Sequence, residues 1–183
     1  MQQGVGTVTI HQGDVRTVLP TLDAKSVQCV ITSPPYWGLR DYGVIGLEAT
    51  PDAYVKTLVA VFREVRRVLR DDGTVWLNLG DCYATGAGKV GSEPGGGRQG
   101  ERWKDRAMMT PPNRMPIDGL KAKDLVGIPW RVAFALQADG WYLRSDIIWA
   151  KGVSFCPTYS GSVMPESVTD RPTKSHEYLF RLT

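Results

Sequence analysis

The chain has 183 residues, of which 42% are hydrophobic and 22% are charged, and its formal net charge is +3. These values are ordinary for a single globular domain with a sizeable core. The sequence has no run of 18 apolar residues and no signal-peptide pattern at its N-terminus, so we expect a cytoplasmic protein with no membrane partner.

The charges and the cysteines narrow the range of partners further. The three cysteines, Cys29, Cys82 and Cys156, are odd in number and form no Cys-x-x-Cys pair, so we predict neither a disulfide framework nor a metal site. Residues 84–123 contain eight basic and four acidic side chains, and this glycine-rich segment therefore carries the excess positive charge. A segment of this length without periodicity is typical of a functional loop or of a flexible insertion.

Strands and helices are predicted to alternate along the chain, which favours an α/β fold with a largely parallel sheet. Short helices are expected over residues 15–24 and from 128 to 140, and a polar loop over 152–175. The apolar runs that predict strands lie at residues 5–10, 27–31, 74–79, 141–149 and 177–182.

The strongest helix signal begins at Thr50. Thr50 is a capping residue, Pro51 suits the first helical position, and Asp52 places a carboxylate in the first turn. Apolar residues then recur at helical spacing, and Gly73 is expected to end the helix. Four arginines near its end are predicted to form a solvated face: Arg63, Arg66, Arg67 and Arg70.

The most informative motif is residues 32–37, Thr-Ser-Pro-Pro-Tyr-Trp, directly after the strand at 27–31, which we expect to be buried. Neither proline offers an N–H group, and Pro35 restricts Pro34 to an extended conformation, so no helix begins there. The Ser33 hydroxyl and the carbonyls of Ser33 and Pro34 are expected to be free acceptors, beside the flat face of Tyr36. Such a group could hold an exocyclic amino group while it stacks on the attached ring, as methylation of a nucleobase amino nitrogen requires.

The motif resembles the catalytic motif of the amino-group DNA methyltransferases, Asp/Asn/Ser-Pro-Pro-Tyr/Phe/Trp. The form found here is most similar to that of the N4-cytosine enzymes, although some N6-adenine enzymes share it. The resemblance covers nearly the whole chain. It implies a Rossmann-like methyltransferase domain over 1–183, S-adenosylmethionine as cofactor, double-stranded DNA as partner, a flipped target base, and a restriction-modification context.

The cofactor motif of this family is missing from the sequence, because no glycine-rich turn follows a strand directly. The order of the motifs is similar to that of circularly permuted members, whose cofactor motif lies near the C-terminus. In the family sheet order, 3-2-1-4-5-7-6, the five predicted strands would be strands 3 to 7, and strand 4 would keep an open edge. We therefore hypothesise a fragment, a truncated reading frame or one half of a split enzyme, with a missing C-terminal half or a second subunit that carries the cofactor motif.

The resemblance also assigns candidate site residues. The catalytic residues would be Ser33, Pro34, Pro35 and Tyr36. Asp14 and Thr32 would contact the cofactor, although Asp14 could instead form a turn. Trp37 and Asp81 would line the base pocket, where Trp37 could either stack on the base or close the wall.

Basic residues are candidates for contact with DNA phosphates, and a solvated role is the alternative for each of them. His176 is expected to be structural. The phosphate candidates are Arg98, Arg102, Lys104, Arg106, Arg114 and Lys151.

Two other functions stay open: a release-factor glutamine methyltransferase, whose Asn-Pro-Pro-Tyr motif acts on an amide nitrogen, and a degenerate fragment that binds DNA without catalysis.

Overall fold

The computed structural model describes residues 6–38, 45–84, 117–152 and 169–183. None of the helices in these ranges has the length and apolarity needed to cross a membrane. In chain order, the described elements are α1 (Val15–Val18), a short 3-10 helix (Leu19–Thr21), β1 (Val27–Thr32), α2 (Pro51–Val68), β2 (Leu69–Leu79), α3 (Ile128–Ala138), β3 (Leu143–Ala150) and β4 (His176–Leu182).

The four strands form one sheet in the order β1-β2-β4-β3. β1 and β2 are parallel, and β4 is antiparallel to both of its neighbours, β2 and β3. Three strands therefore share one direction, and β4 is inserted against them. The order corresponds to 4-5-7-6 in the family scheme, which confirms the α/β fold expected from the resemblance.

The predicted first strand is wrong where the structure describes it, because residues 6–10 form no strand. The side chains of Val8 and Ile10 are 86% and 88% exposed. An apolar alternation becomes a strand only beside a partner that offers backbone hydrogen bonds, and no described element pairs with these residues. The helix predicted over 15–24 is shortened to α1 and the 3-10 helix, whose Pro20 cannot donate a backbone hydrogen bond.

β1 is the edge of the described sheet and is only half-covered. Val27 and Val30 pack against the core, but Ile31 is 79% exposed. The prediction of a buried strand at 27–31 was therefore wrong about burial, because apolar composition cannot distinguish a central strand from an edge strand. The open edge expected from the strand count is present in the described part of the chain.

α2 begins as predicted and ends earlier than predicted. The Thr50 hydroxyl accepts a hydrogen bond from the Ala53 N–H at 3.1 Å, and the helix ends at Val68. The chain then enters β2, and residues 70–73 bulge out before regular pairing resumes at Thr74. A Cβ on Gly73 would come within 2.7 Å of Leu69 Cγ. Gly73 therefore permits this tight bulge and does not end the helix.

Three of the arginines at the end of α2 join secondary-structure elements, although Arg63 and Arg66 remain exposed, as predicted for a solvated face. Arg63 and Arg66 form ion pairs with Asp139, directly after α3, at 2.5 and 3.5 Å. Arg67 donates to the carbonyls of Leu19 and Leu22 at 2.9 and 3.0 Å. The first two tie α2 to α3, and the third ties α2 to the 3-10 helix.

One hydrophobic core supports the sheet. It combines the apolar sides of α2 and α3 with alternate residues of the two central strands, β2 and β4. Its fully buried members include Tyr54, Leu58, Phe62, Val75, Leu77, Leu79, Val132, Leu136, Phe180 and Leu182. The residues that follow β1 therefore pack against a core that includes the two central strands.

Candidate active site

The Ser-Pro-Pro-Tyr segment lies at one end of the sheet, held from below by a buried tyrosine. Ser33 is exposed, and Pro34, Pro35 and Tyr36 are half-buried. The hydroxyl of Tyr54, on α2, donates to the Pro35 carbonyl at 2.8 Å. Burial raises the pKa of Tyr54, so its hydroxyl keeps its proton and remains a donor. This bond fixes the backbone of the segment against the core.

Tyr36 takes part in a network of polar side chains. Its hydroxyl donates to Asn78 Oδ1 at 2.6 Å and lies 3.1 Å from Glu177 Oε2. The Ser33 hydroxyl lies 3.1 Å from Tyr36 Oη and 3.3 Å from Asn78 Oδ1. We call Ser33, Tyr36, Asn78 and Glu177 the acceptor network.

Three adjacent strands bring this network together. Ser33 and Tyr36 follow β1, and Asn78 lies at the end of β2. Because these strands are parallel, their carboxyl ends lie next to each other at the same end of the sheet. β4 runs in the opposite direction, so Glu177, near its beginning, reaches the same edge. Asn78 is buried, with 7% of its surface exposed.

Lys151, which was expected to contact DNA phosphate, instead forms an ion pair with Glu177 Oε1. The two side chains are 26% and 17% exposed. The backbone N–H of Lys151 also donates to the Ser175 carbonyl at 2.7 Å. The Lys151 ammonium therefore has a partner within the protein, and its contact with a DNA phosphate stays a prediction. The sequence could not reveal the partner, which lies 26 residues further along the chain.

The ring of Tyr36 is positioned by a glycine. A Cβ on Gly80 would come within 2.6 Å of Tyr36 Cε2, so the ring occupies the space that a larger residue after β2 would fill. Burial raises the pKa of Tyr36 to about 12; the hydrogen bond with Ser33 lowers it, and the negative charge of Glu177 raises it further. Tyr36 therefore stays a neutral phenol at physiological pH.

Trp37 belongs to the core. It is 1% exposed, and its indole N–H donates to the Glu48 carbonyl at 2.8 Å. A ring buried to this degree cannot stack on a base, so the structure contradicts that half of the base-pocket prediction. The large apolar surface of the indole, with its N–H satisfied, accounts for the burial. The other half, a supporting role in the pocket wall, stays a prediction.

Asp81 caps a helix. Its Oδ1 accepts from the N–H groups of Cys82, Gly127 and Ile128 at 2.9 to 3.0 Å, and its side chain is 1% exposed. It therefore satisfies the free N–H groups at the start of α3 and does not line a pocket, which corrects that prediction. The sequence did not reveal this role, because Asp81 lies 46 residues before Gly127.

The remaining predicted site residues are less defined. Asp14 caps α1 through the Arg16 N–H at 2.8 Å, and the side-chain hydrogen bond with Arg16 lowers the pKa of its carboxyl group. Thr32 ends β1 opposite Leu77. Cofactor contact by either residue stays a prediction.

Within the described ranges, no cluster of three His, Cys, Asp or Glu residues could hold a metal. The phosphate candidates Arg98, Arg102, Lys104, Arg106 and Arg114 lie outside the described residues.

The described residues do not by themselves fit S-adenosylmethionine, the cofactor that the resemblance implies. A nucleotide-type cofactor needs close backbone approach at a glycine turn after a strand. Gly80 does follow β2, but the space over it is filled by the Tyr36 ring. In the described part of the chain, the two-residue spacing of a glycine-rich turn after a strand does not occur. The described residues accordingly provide hydrogen-bond acceptors for a methyl-accepting amino group, but they provide no glycine turn for the cofactor.

Comparison with known proteins agrees with this geometry. The model of a family described as DNA methylase matches residues 27–183. The Type II methyltransferase M.XycI of Xanthomonas campestris pv. cyanopsidis is 53% identical over 183 aligned residues, which are 96% of this chain and 54% of that protein. The chain thus spans about half the length of this curated relative.

Two solved structures share the fold. The first is TTHA0409 of Thermus thermophilus, in complex with S-adenosyl-L-methionine, with a TM-score of 0.54 at 20% identity. The match covers 93% of this chain and 50% of the TTHA0409 chain. The PvuII DNA methyltransferase, described as cytosine-N4-specific, has a TM-score of 0.56 at 18% identity over 93% of this chain and 47% of its own. The family model covers most of the chain, and the chain therefore belongs to the DNA methylase family, the amino-group methyltransferases that its motif resembles.

Proposed function

We propose that this chain supplies the base-binding part of a Type II DNA amino-methyltransferase, which transfers a methyl group from S-adenosylmethionine to the exocyclic amino nitrogen of a flipped base. Cytosine N4 is the preferred target, because the motif carries serine, and adenine N6 is the alternative. The observation that carries the proposal is the exposed Ser33 hydroxyl beside the half-buried Tyr36 ring, both fixed through Asn78. The name of the Xanthomonas relative and the cofactor bound to TTHA0409 support it.

The chemistry depends on making a poor nucleophile better. The lone pair of an exocyclic amine is delocalised into its ring. Hydrogen bonds from its two N–H groups to Ser33 Oγ and to the Pro34 carbonyl would favour a tetrahedral nitrogen and release that pair. Acceptors held in place before the reaction stabilise the positive charge that develops on the nitrogen, and so act more on the transition state than on the ground state.

Tyr36 supplies the platform for the base. Stacking of a base on an aromatic ring contributes about 1–3 kcal/mol. The base must leave the duplex to reach this ring, and Gly80 and the acceptor network hold the ring in place. No strong general base is required before transfer, because the nitrogen becomes acidic only once it is alkylated. S-adenosylmethionine is the proposed methyl donor, and the described residues act on the acceptor base alone.

The proposed partner is double-stranded DNA in the cytoplasm, with phosphates contacted by Arg98, Arg102, Lys104, Arg106 and Arg114. We further propose that a second segment or subunit provides the cofactor cradle, since the described residues offer none. A chain that binds DNA without catalysis is the competing function, and the same absence of a cradle favours it.

Methyl transfer tests these proposals directly. The protein is incubated with plasmid DNA and radiolabelled S-adenosylmethionine, with and without the part of the Xanthomonas relative that lies outside the match. Digested product is then analysed by mass spectrometry. N4-methylcytosine supports the preferred target, and N6-methyladenine supports the alternative. Transfer only in the presence of the added segment supports a split site. DNA binding with no transfer in either mixture contradicts the enzyme and supports the binding fragment.

A substitution links the activity to this site. Tyr36→Ala should lower turnover by roughly a hundredfold if stacking contributes its usual share. Tyr142→Ala is the matched control, since Tyr142 is 71% exposed and lies away from the network. Equal turnover in the two variants would remove the mechanism.

A further inference from the structure

The orientation of the Asn78 amide is fixed by a backbone carbonyl. Asn78 Nδ2 donates to the Tyr178 carbonyl at 3.2 Å. A carbonyl can only accept, so the NH₂ end of the amide must face it, and Oδ1 must face the hydroxyls of Ser33 and Tyr36. The reversed amide would set two oxygens against each other and leave both NH₂ protons toward the hydroxyls. Asn78 therefore presents an acceptor to the network.

The single proton of the Tyr36 hydroxyl then points into the network, away from the place of the base. Its two partners are Asn78 Oδ1 at 2.6 Å and Glu177 Oε2 at 3.1 Å. An amide oxygen and a carboxylate oxygen both accept and do not donate. Lys151 donates to the other Glu177 oxygen and balances its charge. The Tyr36 oxygen is left with lone pairs, and Ser33 Oγ lies 3.1 Å away from it.

The proton of the Ser33 hydroxyl points into the network for the same reason. Both of its partners in the network, Tyr36 Oη and Asn78 Oδ1, are acceptors toward it. Ser33 is itself exposed, so what it offers to a ligand is its lone pairs. An amino group can donate to these lone pairs. A ring carbonyl at the same place would set two acceptors against each other.

We infer that Asn78 and Glu177 are positioning residues that hold the Ser33 hydroxyl as a hydrogen-bond acceptor, so that the site takes an amino base and rejects the keto base of the same shape. The inference rests on the proposed function and names the residues that set its choice of substrate. They act through Ser33 and Tyr36 and do not touch the base themselves.

The test compares two duplexes that differ at one base. Once the methylated base has been mapped, it is replaced by its keto counterpart: uracil for cytosine, or hypoxanthine for adenine. Binding is measured by fluorescence anisotropy. The wild type should prefer the amino duplex by on the order of tenfold, as expected when a polar group loses its partner. Tyr36→Phe and Asn78→Leu should each keep most of this preference, because each leaves Ser33 one inward acceptor.

The double variant Tyr36→Phe/Asn78→Leu removes both inward acceptors, so the Ser33 hydroxyl can turn and donate to a carbonyl. The double variant should bind the amino and keto duplexes about equally tightly. The control Tyr142→Phe, at an exposed position, should keep the preference of the wild type. A double variant that keeps its native circular dichroism spectrum and its full preference overturns the inference.

A second measurement needs neither DNA nor a methyl donor. Tyrosines labelled at ¹³Cζ are titrated by NMR, and the Tyr36 signal is assigned by its loss in Tyr36→Phe. The network requires Tyr36 to titrate above the ordinary value of about 10, and Glu177→Gln to lower the midpoint. An ordinary midpoint that Glu177→Gln does not move overturns the inference. Absence of methyl transfer removes the proposed function but leaves this result standing, so the two failures are distinguishable.

Discussion

The ring of Tyr36 covers Gly80 so closely that a methyl group on Gly80 would lie 2.6 Å from Tyr36 Cε2 and 2.8 Å from Cδ2. Carbon atoms in ordinary contact are about 3.5–4.0 Å apart, so Gly80→Ala must displace the ring by roughly 1 Å. A displacement of that size can lower turnover by about a hundredfold. Methyl transfer to DNA is the measurement.

A double variant separates displacement of the ring from general damage. In Tyr36→Ala the ring is gone, so adding Gly80→Ala should lower turnover little further. Gly6→Ala is the control, because a Cβ there meets nothing within 4 Å. Additive losses in the double variant would show that Gly80 acts through something other than Tyr36.

Tyr54→Phe should destabilise the segment that carries the motif. The variant removes the hydrogen bond of 2.8 Å to the Pro35 carbonyl and keeps the buried ring. A fully buried carbonyl left without its donor costs about 1–3 kcal/mol, and the half-buried Pro35 carbonyl should lie at the lower end of this range. The free energy of unfolding in urea should fall by that amount, and the control Tyr142→Phe should leave it unchanged, since that hydroxyl belongs to an exposed residue.

Asp81→Ala should loosen the start of α3. Three backbone N–H groups lose their acceptor, and the ammonium of Lys174, 3.6 Å away, loses its counter-charge. We expect a loss of about 2–3 kcal/mol in the free energy of unfolding. Asp81→Asn keeps an oxygen toward the N–H groups and should lose less. Equal losses in the two variants would contradict the capping role.

Asp139 should make the protein sensitive to acid. The hydrogen bonds from Arg63 lower the pKa of Asp139 in the folded state. The stability that this carboxylate contributes is therefore complete above the unfolded value of about 4 and is lost as the pH falls through the lower folded value. Asp139→Asn should be less stable than the wild type at pH 7, and the difference should shrink below pH 4.

Urea unfolding between pH 7 and pH 2.5 measures this convergence. Asp23→Asn is the matched control, because Asp23 is exposed and forms none of the described ion pairs. A constant difference between the wild type and Asp139→Asn at every pH would exclude the ion pairs as its cause.

Local signals in the sequence predicted much of the fold. Thr50, Pro51 and Asp52 marked the beginning of α2 because capping depends on neighbouring residues alone. The resemblance to the methyltransferases predicted the order of four strands, but the reversed direction of β4 was not predicted. It could not predict that residues 6–10 would form no strand, because pairing depends on a partner far away in the sequence.

The functions of individual side chains were harder to predict, for the same reason. Asp81 and Lys151 were assigned to ligands, but the structure gives them partners within the protein: the start of α3 and Glu177. Asn78 and Glu177 were missed entirely. Neither belongs to the Ser-Pro-Pro-Tyr motif, and the only hint was a polar residue inside the apolar run of β2.

The inserted position of β4 affects how the protein folds. β2 and β3 do not pair with each other, so β4 is the bridge that joins two otherwise separate parts of the sheet. Tyr36 and Glu177 are 141 residues apart, and contacts across such long loops form slowly. During synthesis on the ribosome, the Tyr36 hydroxyl therefore has no carboxylate partner until Glu177, 141 residues later, has been synthesised. The acceptor network is thus completed only after β1, α2 and β2 have been synthesised.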